Sequence, residues 1–170
     1  MSLKLVIFDV DGLLLDTERV WQDVWYDTAR DFGIDDWKRE DFLNVVGRSG
    51  QPVYDYMEEL FHGRCSTEEF MKVARQHGVE RLERELTAKP GAVELLNCIK
   101  KAGLPCAVAT ATSRSLTEER LTRLQLIQYF DYICCGDEVV ERKPSPEAYL
   151  KVLAKMNTAP EDALEFEDSK

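Results

Sequence analysis

The sequence has few of the residues on which several common chemistries depend. It contains two histidines, His62 and His77, and neither lies in a metal-binding HExxH pattern. Its five cysteines form no CxxC pair and no cluster with histidine, which argues against a zinc site and favours a reducing compartment. Zinc chemistry and a Ser-His-Asp triad are therefore poor explanations for the function.

Long hydrophobic runs and basic runs are also missing. No apolar run approaches the roughly 18 residues of a membrane span, so we expect no membrane partner. The N-terminal MSLKLVIFDVDG lacks the layout of a signal peptide, which predicts a cytoplasmic protein. We also expect the protein to be a monomer. The formal charge is −10, which disfavours nucleic acid as a partner. A small phosphorylated metabolite remains compatible, because a metal ion and one or two cations can reverse the field locally.

Strand and helix patterns alternate along most of the chain. Continuous apolar runs predict four buried strands, over residues 3–8, 104–110, 132–135 and 163–166. Helical patterns separate them, and one helix is expected to begin with a capping box of Ser115 and Glu118. This alternation predicts an α/β fold, a Rossmann-like parallel sheet flanked by helices.

Residues 18–86 interrupt the alternation, because they contain helical patterns and no strand pattern. Their apolar residues recur at helical spacing, as at Trp21 and Trp25, and Ser66 with Glu69 forms a further capping box. We therefore predict two domains. The core comprises residues 1–15 and 88–170, and an inserted all-helical cap domain comprises residues 16–87.

Polar residues suited to phosphate chemistry follow the ends of the predicted strands. In chain order they are Asp9, Asp11, Thr110, Lys143, Glu167 and Asp168. Each has an ordinary structural explanation when taken alone, such as an acidic turn, a solvated lysine or a helix cap. Ligand sites of open parallel sheets lie outside the carboxyl ends of the strands, so we expect these residues to converge. Carboxylates in such a place need a proton or a cation, and Mg²⁺ accepts their oxygens. The set predicts a phosphoryl-transfer site.

Four segments resemble the motifs of the haloacid dehalogenase superfamily in the same order: DVDGLLLDTE, the threonine at the second strand end, KPSP and the terminal EDS. The helical insertion resembles the cap of the branch that contains β-phosphoglucomutase and phosphonatase. The family continues past its fourth motif with a glycine-containing loop, a helix and a further strand. Because this chain stops at Lys170, we expect the C-terminal part of the core to be missing.

The resemblance implies a role for each residue of the set. Asp9 would be the nucleophile that forms an aspartyl-phosphate, and Asp11 the general acid and later the general base. Thr110 and Lys143 would hold the phosphoryl oxygens. Mg²⁺ would be bound by Asp9, the Asp11 carbonyl and Asp168, with Glu167 as a further ligand. Dehalogenases of the superfamily typically lack the second acid, so Asp11 favours a phosphatase.

The cap bears on the substrate and on the type of reaction. β-Phosphoglucomutases place a histidine five residues after the linker aspartate, and counting from Asp16 this position is Trp21. Hydrolysis of a sugar or polyol phosphate is therefore favoured, with a phosphosugar mutase as an alternative. Arg48 lies in a segment that resembles the family's substrate-contacting loop, although a solvated arginine is an equal explanation. A phosphoacceptor or binding domain without turnover is the remaining alternative, against which the long helical insertion argues.

Overall fold

The computed structural model describes residues 3–45, 50–141 and 143–168. The chain divides into two compact units, one formed by the chain up to Asp16 together with Thr87–Asp168, and the other by Thr17–Leu86. These boundaries lie one residue from those expected from the sequence. No helix among the described residues combines the length and the apolar character that crossing a membrane requires.

The regular elements alternate in the first unit and are helical in the second. In chain order they are β1 (Leu5–Phe8), α1 (Thr17–Asp31), a 3₁₀ helix (Arg39–Asn44), α2 (Gln51–Phe61), α3 (Thr67–Glu85), α4 (Ala92–Lys101), β2 (Cys106–Ala109), α5 (Arg114–Arg123), β3 (Tyr132–Cys134), α6 (Glu147–Lys155) and β4 (Ala163–Phe166), with short 3₁₀ turns at Ile127–Tyr129 and Pro160–Asp162.

The four strands form one parallel sheet in the order β3-β2-β1-β4. Phe8 at the end of β1 pairs with Val108 of β2 on one side and with Phe166 of β4 on the other. The chain thus leaves β1 for one neighbour and returns later to its other side. In parallel sheets of this kind the crevice at such a switch point is the usual place for a ligand.

The sheet is held by buried apolar residues that the strand patterns indicated. Leu5, Ile7, Ala107 and Ala109 pack with Cys134 and with α6 in one cluster. Every residue of β1 and β2 is buried. A strand buried on both faces has a fixed register, because a slip would exchange its two faces. The ends of β1 and β2 are therefore held at fixed positions, and β4 is aligned by its pairing with β1.

Helix α5 begins at Arg114, so the capping box expected at Ser115 and Glu118 is wrong. The physical reason lies in a neighbouring loop. The Asp137 carboxylate accepts a hydrogen bond from the Arg114 backbone N–H, at 3.0 and 3.1 Å from its two oxygens. An otherwise unpaired N–H of the first turn is satisfied from outside the helix, which allows the helix to begin two residues earlier than the Ser115 capping box predicts.

The second unit is built around aromatic side chains, and its described residues contain no strand. The centre of the Phe70 ring lies 5.8 Å from that of Trp25 and 4.9 Å from that of Phe61. Ser66 caps α3 as expected, since its hydroxyl accepts a hydrogen bond from the Glu69 N–H at 3.4 Å. Trp21 of α1 packs against Gly78 of α3, where an added Cβ would lie 2.1 Å from the indole ring. Trp21 is therefore part of the packing between two helices.

Candidate active site

Asp9 comes directly after β1 and is 7% exposed. Its backbone N–H donates to the Phe166 carbonyl at 3.0 Å, which continues the pairing of β1 with β4 by one residue. The next residues turn sharply, because the Val10 carbonyl accepts hydrogen bonds from the N–H groups of Leu14 and Leu15. Gly12 has a φ of 80°, a conformation that favours glycine in this turn. The turn therefore fixes the position of Asp9 at the edge of the sheet.

Lys143 brings a positive charge to Asp9. Its Nζ lies 2.9 Å from Asp9 Oδ1 and 2.5 Å from Glu167 Oε2. The Tyr149 hydroxyl donates to the same Glu167 oxygen at 2.7 Å, and Lys143 Nζ lies 5.0 Å from the centre of the Tyr149 ring. One ammonium group therefore connects the end of β1 to the end of β4. The ring of Tyr149 limits where that ammonium group can go.

Three carboxylates meet at this point. Asp9, Glu167 and Asp168 each offer an oxygen within 4.8 Å of the others, and they range from buried to exposed. Such hard oxygen donors are the ligands that Mg²⁺ prefers, so the donor set fits the expected cofactor. The Asp11 carboxylate does not belong to this group, and the part of the Asp11 carbonyl in binding a metal stays a prediction.

The electrostatics of the site follow from burial and from the crowding of like charges. Burial raises the pKa of Asp9 to about 6, while Lys143 acts in the opposite direction. Burial also raises the pKa of Asp168, and the negative charge of Glu167 adds to the effect. Burial of Lys143 acts to lower its pKa, but the ion pairs with Asp9 and Glu167 outweigh this and raise it. The lysine is therefore charged at neutral pH, and a further cation beside Asp9 and Asp168 would favour their ionised forms.

Thr110 follows β2 and is 2% exposed. Its N–H donates to the Cys134 carbonyl at 3.0 Å, and its hydroxyl accepts from the Thr112 N–H at 3.2 Å. The loop is closely packed at Gly136, where an added Cβ would lie 2.0 Å from the Ala111 carbonyl oxygen. The hydroxyl of Thr110 can still donate, because a hydroxyl has one donor and two acceptor positions.

Asp11 has its own set of partners, which the sequence did not indicate. The Thr112 hydroxyl donates to Asp11 Oδ2 at 2.6 Å, and Arg120 Nη1 donates to Asp11 Oδ1 at 2.9 Å. Arg120 lies on α5 between the fully buried Thr117 and Leu121. Charged side chains next to the buried face of a helix are usually paired, so the position of Arg120 beside Leu121 is a local indication of an ion-pair partner inside the protein.

The remaining predicted site residue, Arg48, lies outside the described residues. The contact of Arg48 with substrate stays a prediction.

Comparison with known proteins decides the family. The model of the haloacid dehalogenase-like hydrolases matches residues 6–170. The chain belongs to this family. It is 36% identical over 171 residues to a phosphorylated carbohydrates phosphatase of Thermotoga maritima, an alignment that covers 99% of this chain and 77% of that protein. The family expected from the four motifs and the α/β fold expected from the alternation of strands and helices are confirmed.

Two further relatives bear on the type of reaction. Hexitol phosphatase B of Escherichia coli is 28% identical over 170 residues, which cover 99% of this chain and 76% of the relative. A crystal structure from Thermotoga maritima, provisionally assigned as a β-phosphoglucomutase, superposes with a TM-score of 0.77 at 32% identity. That alignment covers 98% of this chain and 77% of the other. The relatives thus include both phosphatases and a mutase-like protein.

Proposed function

We propose that this family member is a Mg²⁺-dependent phosphatase that hydrolyses a small phosphorylated sugar or polyol through an aspartyl-phosphate on Asp9. The observation that carries the proposal is the meeting of Asp9, Lys143, Glu167 and Asp168 at the switch point of the sheet. The predicted enzyme class, a phosphoric monoester hydrolase, is confirmed by the family and by its named phosphatases. The substrate is inferred from the names of those relatives.

The metal would be bound by Asp9, Asp168 and the Asp11 carbonyl, with Glu167 as a further ligand. When bound, Mg²⁺ supplies positive charge that offsets the repulsion between the carboxylates and an approaching phosphate. An ammonium group has three donors, so Lys143 can donate to a phosphoryl oxygen while it keeps Asp9 and Glu167 as partners. The Thr110 hydroxyl donates to another phosphoryl oxygen.

The chemistry takes place in two steps. In the first, an Asp9 carboxylate oxygen attacks phosphorus, the bond between phosphorus and the ester oxygen breaks, and protonated Asp11 gives its proton to the leaving alkoxide. In the second, Asp11 takes a proton from water as the water oxygen attacks phosphorus. The bond to Asp9 then breaks, inorganic phosphate leaves, and Asp9 returns to its starting state.

Hydrolysis is preferred to the mutase alternative because of Trp21. β-Phosphoglucomutases have a histidine at the position that corresponds to Trp21. In this chain the indole of Trp21 packs against Gly78. An indole has one N–H donor and no group that can take up and return a proton at neutral pH. A bound sugar would therefore receive no help from this position in attacking the aspartyl-phosphate, which favours transfer to water.

The proposal is tested by a screen of phosphorylated sugars and polyols with Mg²⁺, together with acid quenching to trap the phosphoenzyme. Asp9→Asn should abolish phosphoenzyme formation. Asp11→Asn should slow turnover by roughly 10² to 10⁴, because it removes general acid-base catalysis and leaves the nucleophile. Asp35→Asn, at an exposed aspartate of the second unit, is the matched control and should leave both unchanged. Phosphate release without a phosphoenzyme on Asp9 would contradict the mechanism, and isomerisation of hexose phosphates without phosphate release would favour the mutase.

A further inference from the structure

Both oxygens of the Asp11 carboxylate are engaged by side chains from other parts of the first unit. Thr112 reaches Oδ2 from the loop after β2, at 2.6 Å, and Arg120 reaches Oδ1 from α5, at 2.9 Å. The Arg120 side chain is 13% exposed and that of Asp11 is 27% exposed. Contacts from two separate elements to the two oxygens of one carboxylate define its position and its rotation.

These contacts matter because of where Asp11 sits in the chain. It lies in the turn after β1, where the backbone is fixed but a short side chain could still adopt several rotamers. A general acid must lie within hydrogen-bond reach of the atom that it protonates, and a displacement of about 1 Å can cost about 100-fold in rate. The charge of Arg120 makes its hydrogen bond to Asp11 a strong one.

We propose that Arg120, assisted by Thr112, is a positioning residue that holds the Asp11 carboxylate in the orientation from which it transfers a proton to the leaving group. This inference rests on the proposed function and deepens it, because it assigns to α5 a part in the acid step. In this role Arg120 acts through its contact with Asp11.

The inference predicts a dependence on the leaving group. Departure of a sugar or polyol alkoxide needs a proton, whereas departure of 4-nitrophenolate needs none, because that anion is stable in water. The value of kcat/KM reports the steps up to the cleavage of the ester. Misplacement of Asp11 should therefore reduce kcat/KM for alkyl phosphates and leave kcat/KM for 4-nitrophenyl phosphate almost unchanged.

The experiment measures kcat/KM with Mg²⁺ for the best alkyl phosphate of the screen and for 4-nitrophenyl phosphate. Arg120→Met should lower the alkyl value about 10- to 100-fold and the aryl value less than about threefold. Arg120→Lys should recover part of the alkyl activity, because it restores the charge but not the planar donor group. Arg123→Met is the matched control on the same helix, where Arg123 pairs with Glu119 on its surface.

Two further variants keep the test independent of folding. If thermal unfolding shows that Arg120→Met is not folded, Thr112→Val removes the other contact at constant volume and should give the same pattern, whereas Thr112→Ser should not. In an Asp11→Asn background, Arg120→Met should cause no additional loss with the alkyl ester. Equal losses for both esters, an additional loss in that background, or a gain in alkyl activity would overturn the inference while leaving the phosphatase intact. A wild-type protein that cleaves neither ester would overturn the proposed function itself.

Discussion

Acidification from neutral pH should stabilise the metal-free protein, and Asp9 should account for most of the effect. Burial raises the pKa of Asp9 from 3.8 to about 6 in the folded protein. Since one pKa unit corresponds to about 1.4 kcal/mol, ionised Asp9 costs the folded state about 3 kcal/mol. Between the pKa of Asp9 in the unfolded chain and its pKa in the folded protein, only the folded state keeps the proton. The stabilisation is therefore fully present below the pKa of the unfolded chain, and it is lost as the pH rises through the pKa of the folded protein.

The measurement is urea unfolding between pH 5 and pH 8 in the presence of a chelator. About 1.4 kcal/mol of the Asp9 contribution falls in this interval, with the higher free energy of unfolding at pH 5. The raised pKa of Asp168 adds a change of the same sign. The raised pKa of Lys143 lies above the interval and adds none. Saturating Mg²⁺ should flatten the dependence, because an ion held by carboxylates favours their ionised forms.

Asp9→Asn provides the decisive comparison, because asparagine has nearly the same shape and does not titrate. The variant should lose about 1.4 kcal/mol of the difference between pH 5 and pH 8 and keep the smaller part that is due to Asp168. Asp35→Asn, at an exposed position, should behave like the wild type. An identical pH dependence in the wild type and in Asp9→Asn would show that the buried aspartate is not the titrating group, and the argument from burial would be wrong.

Three other changes test separate parts of the molecule. Asp168→Asn should weaken Mg²⁺ binding about tenfold or more in a calorimetric titration, because loss of even an outer-shell partner of a metal lowers its affinity by about that factor. Asp162→Asn is the control and should leave Mg²⁺ binding unchanged. Gly136→Ala should lower the free energy of unfolding by about 1–3 kcal/mol, because the new methyl group would lie 2.0 Å from the Ala111 carbonyl oxygen. Arg48→Ala should reduce kcat/KM about 10- to 150-fold for the natural ester and little for a small artificial one, since remote contacts position the reacting phosphorus; equal losses for both esters would contradict a contact with the remote part of the substrate.

The positions of β1 and β2 could be predicted from the sequence because each is a continuous apolar run buried on both faces, whereas β4 contains Glu165 and has no buried residue. The expected range 163–166 coincides with β4, and the other three strands lie within their expected ranges. Once the strands are parallel and adjacent, the residues that follow Phe8 and Phe166 must be neighbours. The approach of Asp9 and Glu167 was therefore implicit in the pattern of apolar residues.

The partners of Asp11 could not be predicted in the same way. Asp9 and Asp11 are two residues apart and belong to one motif, yet one contacts Lys143 and the other contacts Arg120 and Thr112. Which neighbour each carboxylate meets depends on where α5 packs, and that is decided by contacts distant in sequence. The start of α5 is a second example, because the stabilising group for its first N–H comes from Asp137 and not from the helix itself.

The charges of the site explain why these partnerships matter together. When ionised, Asp9, Glu167 and Asp168 carry three negative charges, and Lys143 offsets one of them. Two remain, in a protein whose formal charge is −10, so a phosphate dianion meets repulsion until a divalent cation is bound. When ionised, Asp11 adds little to this repulsion, because the ion pair with Arg120 offsets its charge. The arrangement therefore places the second acid beside the phosphate site with its charge offset by Arg120, and it leaves the remaining negative charge of the site to be offset by a divalent cation.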